Sequence, residues 1–82
     1  MNQMVHLQVN GSTGEGFDGV VRAGIILLAR KRAKVGGQIF LPAPDWTVES
    51  GPEALVPVKV ESADEFVIVG ADKTGQKWAV WL

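Results

Sequence analysis

The fold is decided by residues 66–82, FVIVGADKTGQKWAVWL, in which two apolar runs flank a polar turn. Alternate residues of a strand point to opposite faces, so a regular strand places Trp78 and Trp81 on different sides of the sheet. The run 66–69 is apolar on both faces as well. In residues 71–75 an aspartate comes early and a glycine late, which is typical of a hairpin turn. The stretch therefore predicts two antiparallel strands that need cover on both faces.

A third strand is expected before this pair. Valines alternate with proline, lysine and glutamate through residues 56–61, the pattern of a strand with one solvated face. Pro57 has no N–H for the sheet ladder, which predicts that this strand lies at an edge. Residues 62–65 are small or acidic and predict the turn that follows. Residues 55–82 are therefore expected to form a three-stranded antiparallel meander.

The remainder of the single domain, residues 1–82, divides into shorter segments. Residues 5–9 alternate apolar and polar and predict a strand with one buried face. Residues 10–19 contain four glycines and predict a flexible loop or an arm that orders on a partner. Residues 34–41 predict a glycine turn leading into a strand, and the prolines of residues 42–52 predict a surface loop.

Residues 20–34 fit two interpretations. For a helix, Asp18 is placed to cap the N-terminus and the cations of residues 30–34 suit the negative end of the helix dipole. For a strand, Gly24, the β-branched pair at 25–26 and a solid apolar run with arginines at both borders are typical of a short buried strand with charged ends. The balance slightly favours strands.

The predicted fold class is therefore mostly β: a small antiparallel barrel or sandwich of the SH3-like or OB-like kind, with the C-terminal meander. If residues 19–34 are helical, the alternative is an α+β fold with one helix packed on the sheet.

Composition limits the classes of function. The chain has no cysteine, so it contains neither disulfides nor thiolate metal ligands. Eight Lys and Arg against nine Asp and Glu give a net charge of −1, without the basic excess typical of generic nucleic-acid or membrane-surface binding. The longest apolar run, residues 23–29, is too short for a membrane span, and the N-terminus lacks the pattern of a secretory signal. We expect a cytoplasmic protein, or a component of a particle assembled in the cytoplasm.

The sequence contains no recognisable catalytic or metal-binding motif. His6 is the single histidine, which makes a metal site improbable. Ser12, Ser50 and Ser62 all fall in expected loops or turns, without the strand–turn–helix context of a nucleophile elbow. The glycine-rich residues 11–16 lack the Gly-Lys-Ser/Thr of a phosphate-binding loop. We therefore expect no enzymatic activity and no cofactor.

Aromatic and apolar residues predict contact with other proteins instead. Trp78 fits a core, and Trp81 then belongs either beneath a loop or in an interface, where tryptophan is enriched. A chain of 82 residues cannot cover all of this apolar surface by itself. The surplus favours a homo-oligomer, either a dimer or a trimer, or binding to a larger protein partner. The candidate interface residues are Trp46, Trp78, Trp81, Leu82 and Phe17.

A basic run provides the alternative of nucleic-acid binding. Its members are Arg30, Lys31, Arg32 and Lys34, and in a strand three of them would share one face. Such a patch would contact phosphates, with Trp46 stacking on a base. A solvated turn, or pairing with an acidic protein surface, explains the run equally well.

In its general features the chain resembles the small accessory proteins of tailed-phage particles, such as capsid decoration or cement subunits. The resemblance consists of a glycine-rich N-terminal region, a small β body, no cysteine and surplus apolar surface. It implies a non-enzymatic structural or assembly subunit and assigns no residue a role. A third interpretation is an adaptor or inhibitor that binds one protein by β-addition at the strand of residues 55–61.

Overall fold

The computed structural model describes residues 3–9 and 16–81, with side chains from residue 18 onward in the second range. This part of the chain contains five strands, one α-helix and two short 3-10 helices, at Val48–Ser50 and Pro52–Ala54. The main elements are β1 (Val5–Gln8), α1 (Gly16–Arg32), β2 (Gln38–Leu41), β3 (Val56–Ala63), β4 (Val67–Ala71) and β5 (Lys77–Trp81).

The strands form one mixed sheet in the order β1-β5-β4-β3-β2, curled into a half-barrel. Strands β2 to β5 pair antiparallel, whereas β1 joins the far side of β5 in parallel. The chain is therefore mostly β with a C-terminal meander, which confirms the predicted fold class. The meander consists of β3, β4 and β5, as residues 55–82 indicated.

The hydrophobic core lies between α1 and one face of the sheet, called here the inner face. Each strand contributes alternate apolar residues to this face, as the two-residue period of a strand requires. The helix contributes Ile26 and Ala29. The buried strand residues of the core are Leu7, Ile39, Leu41, Val58, Val60, Ile68, Trp78 and Val80.

The slight preference for strands in residues 20–34 is wrong, and the helical alternative is right. The helix α1 begins at Gly16, ahead of the expected start, with Asp18 in its first turn and Arg30 to Arg32 in its last. Residues 16–19 of the expected glycine-rich arm belong to this helix, and residues 10–15 lie outside the described residues. The apolar run did not indicate a helix because apolar residues occupy both the core side and the solvent side of α1.

Pro57 does not mark an edge, because β3 pairs with β2 on one side and β4 on the other. The C=O and N–H of Val60 form hydrogen bonds with Gly36 and Gly37 on the β2 side. Backbone groups of successive strand residues point to alternate sides, so the backbone nitrogen of Pro57, three residues away, points to the β4 side. Pairing with β4 begins only at Lys59, so the missing N–H removes no ladder bond. The edges of the sheet are β1 and β2, so the prediction that the strand of residues 55–61 is an edge strand is wrong.

Gly70 allows β4 to lie unusually close to β3. A Cβ atom at this position would lie 2.3 Å from the carbonyl oxygen of Lys59 and 2.7 Å from Cγ1 of Val58. A shift of register between Val60 and Ser62, a β-bulge, lies just beyond this contact. Bulges increase local twist, so the bulge and Gly70 together account for the curl of the sheet at its centre.

Candidate interaction surfaces

The sheet face opposite α1, called here the outer face, carries Trp81. The indole Nε1 of Trp81 donates a hydrogen bond to Nδ1 of His6, at 3.0 Å. The two rings stack with centroids 6.1 Å apart and planes 25° apart. Trp81 is nevertheless 37% exposed. The parallel pairing of β1 with β5 produces this contact, because it places His6 and Trp81 on the same face of adjacent strands.

Apolar residues of β4 and β5 continue this surface. Val67 lies opposite Trp81 and Val69 opposite Ala79 across the two strands. Ala79 is fully buried, while the two valines are half-buried. Trp81, His6, Val67 and Val69 are called the Trp81 patch below.

The other end of the outer face is charged. Lys77 pairs with Glu61 at 2.6 Å, and both side chains are about half exposed. Lys59 is exposed on the same face. The outer face therefore changes along β5 from an apolar end at Trp81 to an ion-paired end at Lys77.

Two of the predicted interface tryptophans are buried. Trp46 is 6% exposed, and its Nε1 donates to the carbonyl oxygen of Gly51 at 3.0 Å. Trp78 is 4% exposed, and its Nε1 donates to Oδ2 of Asp72 at 3.0 Å. Neither presents a surface to a partner, so they are removed from the predicted interface. Leu82 and the side chain of Phe17 lie outside the described residues.

A second apolar surface lies on the solvent side of α1. Val20 is 72%, Leu27 44% and Leu28 48% exposed, and Gly24 is exposed between them. These four residues are called the α1 face below. Sequence reasoning did not identify this surface, because the same residues were first interpreted as a buried strand.

A groove of about 460 Å³ adjoins the α1 face, between α1 and the edge strand β2. Ile25, Leu28 and Phe40 supply apolar walls, and Arg32 also lines the groove. Phe40 is 52% exposed. The apolar surface of α1 thus continues toward the β2 edge of the sheet.

The basic run does not form one face. Because residues 30–34 are at the end of a helix and beyond it, successive side chains diverge by about 100° instead of alternating. Arg30 is half-buried and donates to the carbonyl oxygens of Asp64 and Glu65 in the β3–β4 turn. Lys31, Arg32 and Lys34 are exposed.

Two aspartates organise the hairpin turns. Oδ1 of Asp72 accepts bonds from the hydroxyl and N–H of Thr74 and from the N–H of Gln76, and Oδ2 faces Trp78. These bonds, the Thr74 hydroxyl foremost, hold the pKa of Asp72 below its ordinary value. Asp64 accepts from the N–H groups of Phe66 and Val67, which likewise lowers its pKa.

The turn at Asp72 has the predicted chemistry, because Gly75 adopts a positive φ of 86° that favours glycine.

Residues 3–9 and 16–81 bring together no cluster of three His, Asp or Glu side chains that would hold a metal ion. Within the same ranges, no helix is both long and apolar enough to cross a bilayer. No family model, curated protein or solved structure matches the chain.

Proposed function

We propose that this chain is a non-enzymatic assembly subunit that binds other protein chains through apolar surfaces on opposite sides of its sheet. The observation that carries the proposal is Trp81, an indole fixed by His6 and still 37% exposed. Large aromatic side chains are the commonest anchors of protein interfaces. An anchor already held in place loses little conformational freedom on binding, which favours affinity.

The surroundings of Trp81 support the same conclusion. Val67 and Val69 provide apolar surface beside the indole, and the ion pair of Lys77 and Glu61 provides a polar rim at the far end of the face. An apolar centre with a charged rim is the usual anatomy of a protein interface. The α1 face lies on the other side of the sheet, so one subunit has a contact surface for each of two neighbours. Such a pair of surfaces would suit an accessory subunit of a larger shell, the role implied by the resemblance to capsid decoration proteins.

The test is the solution mass of the purified protein, measured by light scattering over a range of protein and salt concentrations. We expect association above the 8.8 kDa monomer mass that is insensitive to salt, because the contacts are apolar. Trp81→Ala should weaken the assembly formed through the outer face while circular dichroism shows the fold retained. Val35→Ala is the control, because Val35 is 66% exposed and lies outside the Trp81 patch, and it should leave assembly unchanged.

A monomer at every concentration, with no change in mass on adding candidate shell proteins, would refute the assembly function. Binding to nucleic acid that weakens steeply with salt would instead support the alternative role of Lys31, Arg32 and Lys34.

A further inference from the structure

We propose that α1 is a dimerisation helix, and that two copies of this chain pack their α1 helices antiparallel with Gly24 of each copy at the two-fold axis. This inference rests on the assembly function proposed above and names a second copy as the partner of the α1 face. The Trp81 patch, on the other side of the sheet, remains available to a different neighbour.

Gly24 lies at the midpoint of the helix and on the side that faces away from the core. The helix runs from Gly16 to Arg32, so eight residues precede Gly24 and eight follow it. At about 100° per residue, Gly24 points about 160° away from Ile26, which packs into the core. Apart from the adjacent residues and the backbone of its own helix, no atom lies within 4 Å of the Cβ position of Gly24. A second helix therefore has room to approach the backbone closely at this residue.

The apolar side chains around Gly24 are self-complementary. Along the helix axis, Val20 lies about 6 Å before Gly24 and Leu27 about 4.5 Å after it, both on one flank. On the other flank, Val21 lies about 4.5 Å before Gly24 and Leu28 about 6 Å after it. A two-fold axis through Gly24 places Val20 of one copy against Leu27 of the other, and Val21 against Leu28. An interface between identical copies requires this kind of self-complementary surface.

Charge selects the antiparallel orientation. Asp18 lies in the first turn of α1 and Arg32 in the last, about 40° apart around the helix. In the antiparallel pair, Asp18 of one copy and Arg32 of the other lie on the same flank, about 120° and 80° from Gly24 around their helices and about 3 Å apart measured along the axis. The pair therefore lies at the rim of the interface. A parallel pair would instead bring Lys31 of both copies together, because Lys31 lies only about 20° from Gly24 around the helix. Opposite charges across an interface favour one orientation and exclude the other.

Cysteine trapping tests the register, because the chain contains no cysteine of its own. Helices packed about 8–10 Å apart bring the Cα atoms of Gly24 to about 4–5 Å, within disulfide range. Gly24→Cys should therefore form a covalent dimer under mild oxidation. Val20→Cys alone should not, because its two copies lie about 12 Å apart along the axis. A mixture of Val20→Cys and Leu27→Cys protein should form the mixed disulfide.

A charge at the axis tests the dimer without cysteines. Gly24→Lys places two ammonium groups together, and we expect sedimentation to show dimerisation about tenfold weaker or more. The open space at Gly24 and the higher helix propensity of lysine should keep the fold at least as stable. Val35→Lys is the matched control, because Val35 is 66% exposed and lies beyond the helix. It should leave dimerisation unchanged.

A dimer that persists in Gly24→Lys, or disulfides that form equally from Val20→Cys alone, would overturn this inference. If Trp81→Ala then abolishes the association, the assembly function stands and only the α1 dimer fails. If wild-type protein is a monomer at every concentration and binds no candidate shell protein, both proposals fail.

Discussion

Gly70→Ala tests how the sheet obtains its curl. The new Cβ would lie 2.3 Å from the Lys59 carbonyl oxygen and 2.7 Å from Cγ1 of Val58, whereas ordinary contacts begin at 3.4 Å. The valine methyl belongs to a buried side chain and the oxygen to the backbone, so neither moves aside freely. Relief of the clash requires β4 to shift by about 1 Å from β3, which disturbs the pairing of Val60 with Gly70.

The magnitude follows from two opposing effects. Overpacking of this kind costs about 3 kcal/mol, the upper part of the usual range, because the backbone itself is contacted. The alanine also restricts the unfolded chain, which returns about 0.7 kcal/mol. The free energy of unfolding should therefore fall by about 2 kcal/mol, which lowers the melting temperature of a domain of this size by about 8–16 °C.

Thermal and urea unfolding followed by circular dichroism measure this change. Gly24→Ala is the matched control, because nothing outside its own helix backbone and adjacent residues lies within 4 Å of its Cβ position and alanine is the better helix former. Measured at low protein concentration, it should raise the free energy of unfolding by about 1 kcal/mol. If Gly70→Ala leaves the melting temperature unchanged, the close approach of β3 and β4 is not needed for the fold.

Two further predictions concern buried and turn polar groups. Arg22 is a buried residue of α1, and its guanidinium donates a hydrogen bond to the carbonyl oxygen of Trp46. Arg22→Met leaves that oxygen without this donor and should lower the free energy of unfolding by about 1–3 kcal/mol. Unchanged urea unfolding would contradict this. The pKa of Asp72 is lower in the folded chain than the ordinary value of 3.8, which applies to the unfolded chain. Between these two pKa values the unfolded chain binds a proton that the folded chain does not, so stability is lost as pH falls from 3.8 through the folded pKa. Asp72→Asn should flatten this acid dependence, measured as the melting temperature between pH 6 and pH 2, and an unchanged slope would contradict the assignment.

Much of the sheet was predictable because the local sequence pattern of its strands agrees with the faces that they present in the fold. The alternation in residues 5–9 and 56–61 matches one buried and one outer face, and the turn at residues 71–75 has the chemistry that its geometry needs. The parallel pairing of β1 with β5 was not predictable, because nothing near residues 5–9 in the sequence specifies a partner about 70 residues away.

The helix α1 shows why residues 20–34 were misleading. A helix with one buried side repeats its apolar residues every three or four positions, and that period reveals it. Here Ile26 and Ala29 are buried while Val20, Leu27 and Leu28 are exposed, so apolar residues surround the axis and the period is lost. The feature that hid the helix from sequence reasoning is therefore the same feature that supplies its candidate interface.

Pro57 and Trp46 were misjudged for a related reason. The rule that proline belongs at a sheet edge holds for strands paired along their whole length, whereas β3 extends beyond the end of β4. The burial of Trp46 depends on contacts with Gly51 and with Arg22, a residue 24 positions earlier. Such distant contacts leave no local pattern in the sequence.

The parallel pairing of β1 and β5 also has a mechanical consequence. Val5 to Gln8 pair with Trp78 to Trp81, and the first strand and the last run in the same direction. A force that pulls the two ends of the domain apart therefore slides these strands past each other, and their hydrogen bonds must break together instead of one at a time. Resistance to such a force is governed by the rate of unfolding and not by equilibrium stability. A subunit held at both ends in a larger structure would thus bear load across a pair of strands that is pulled in shear.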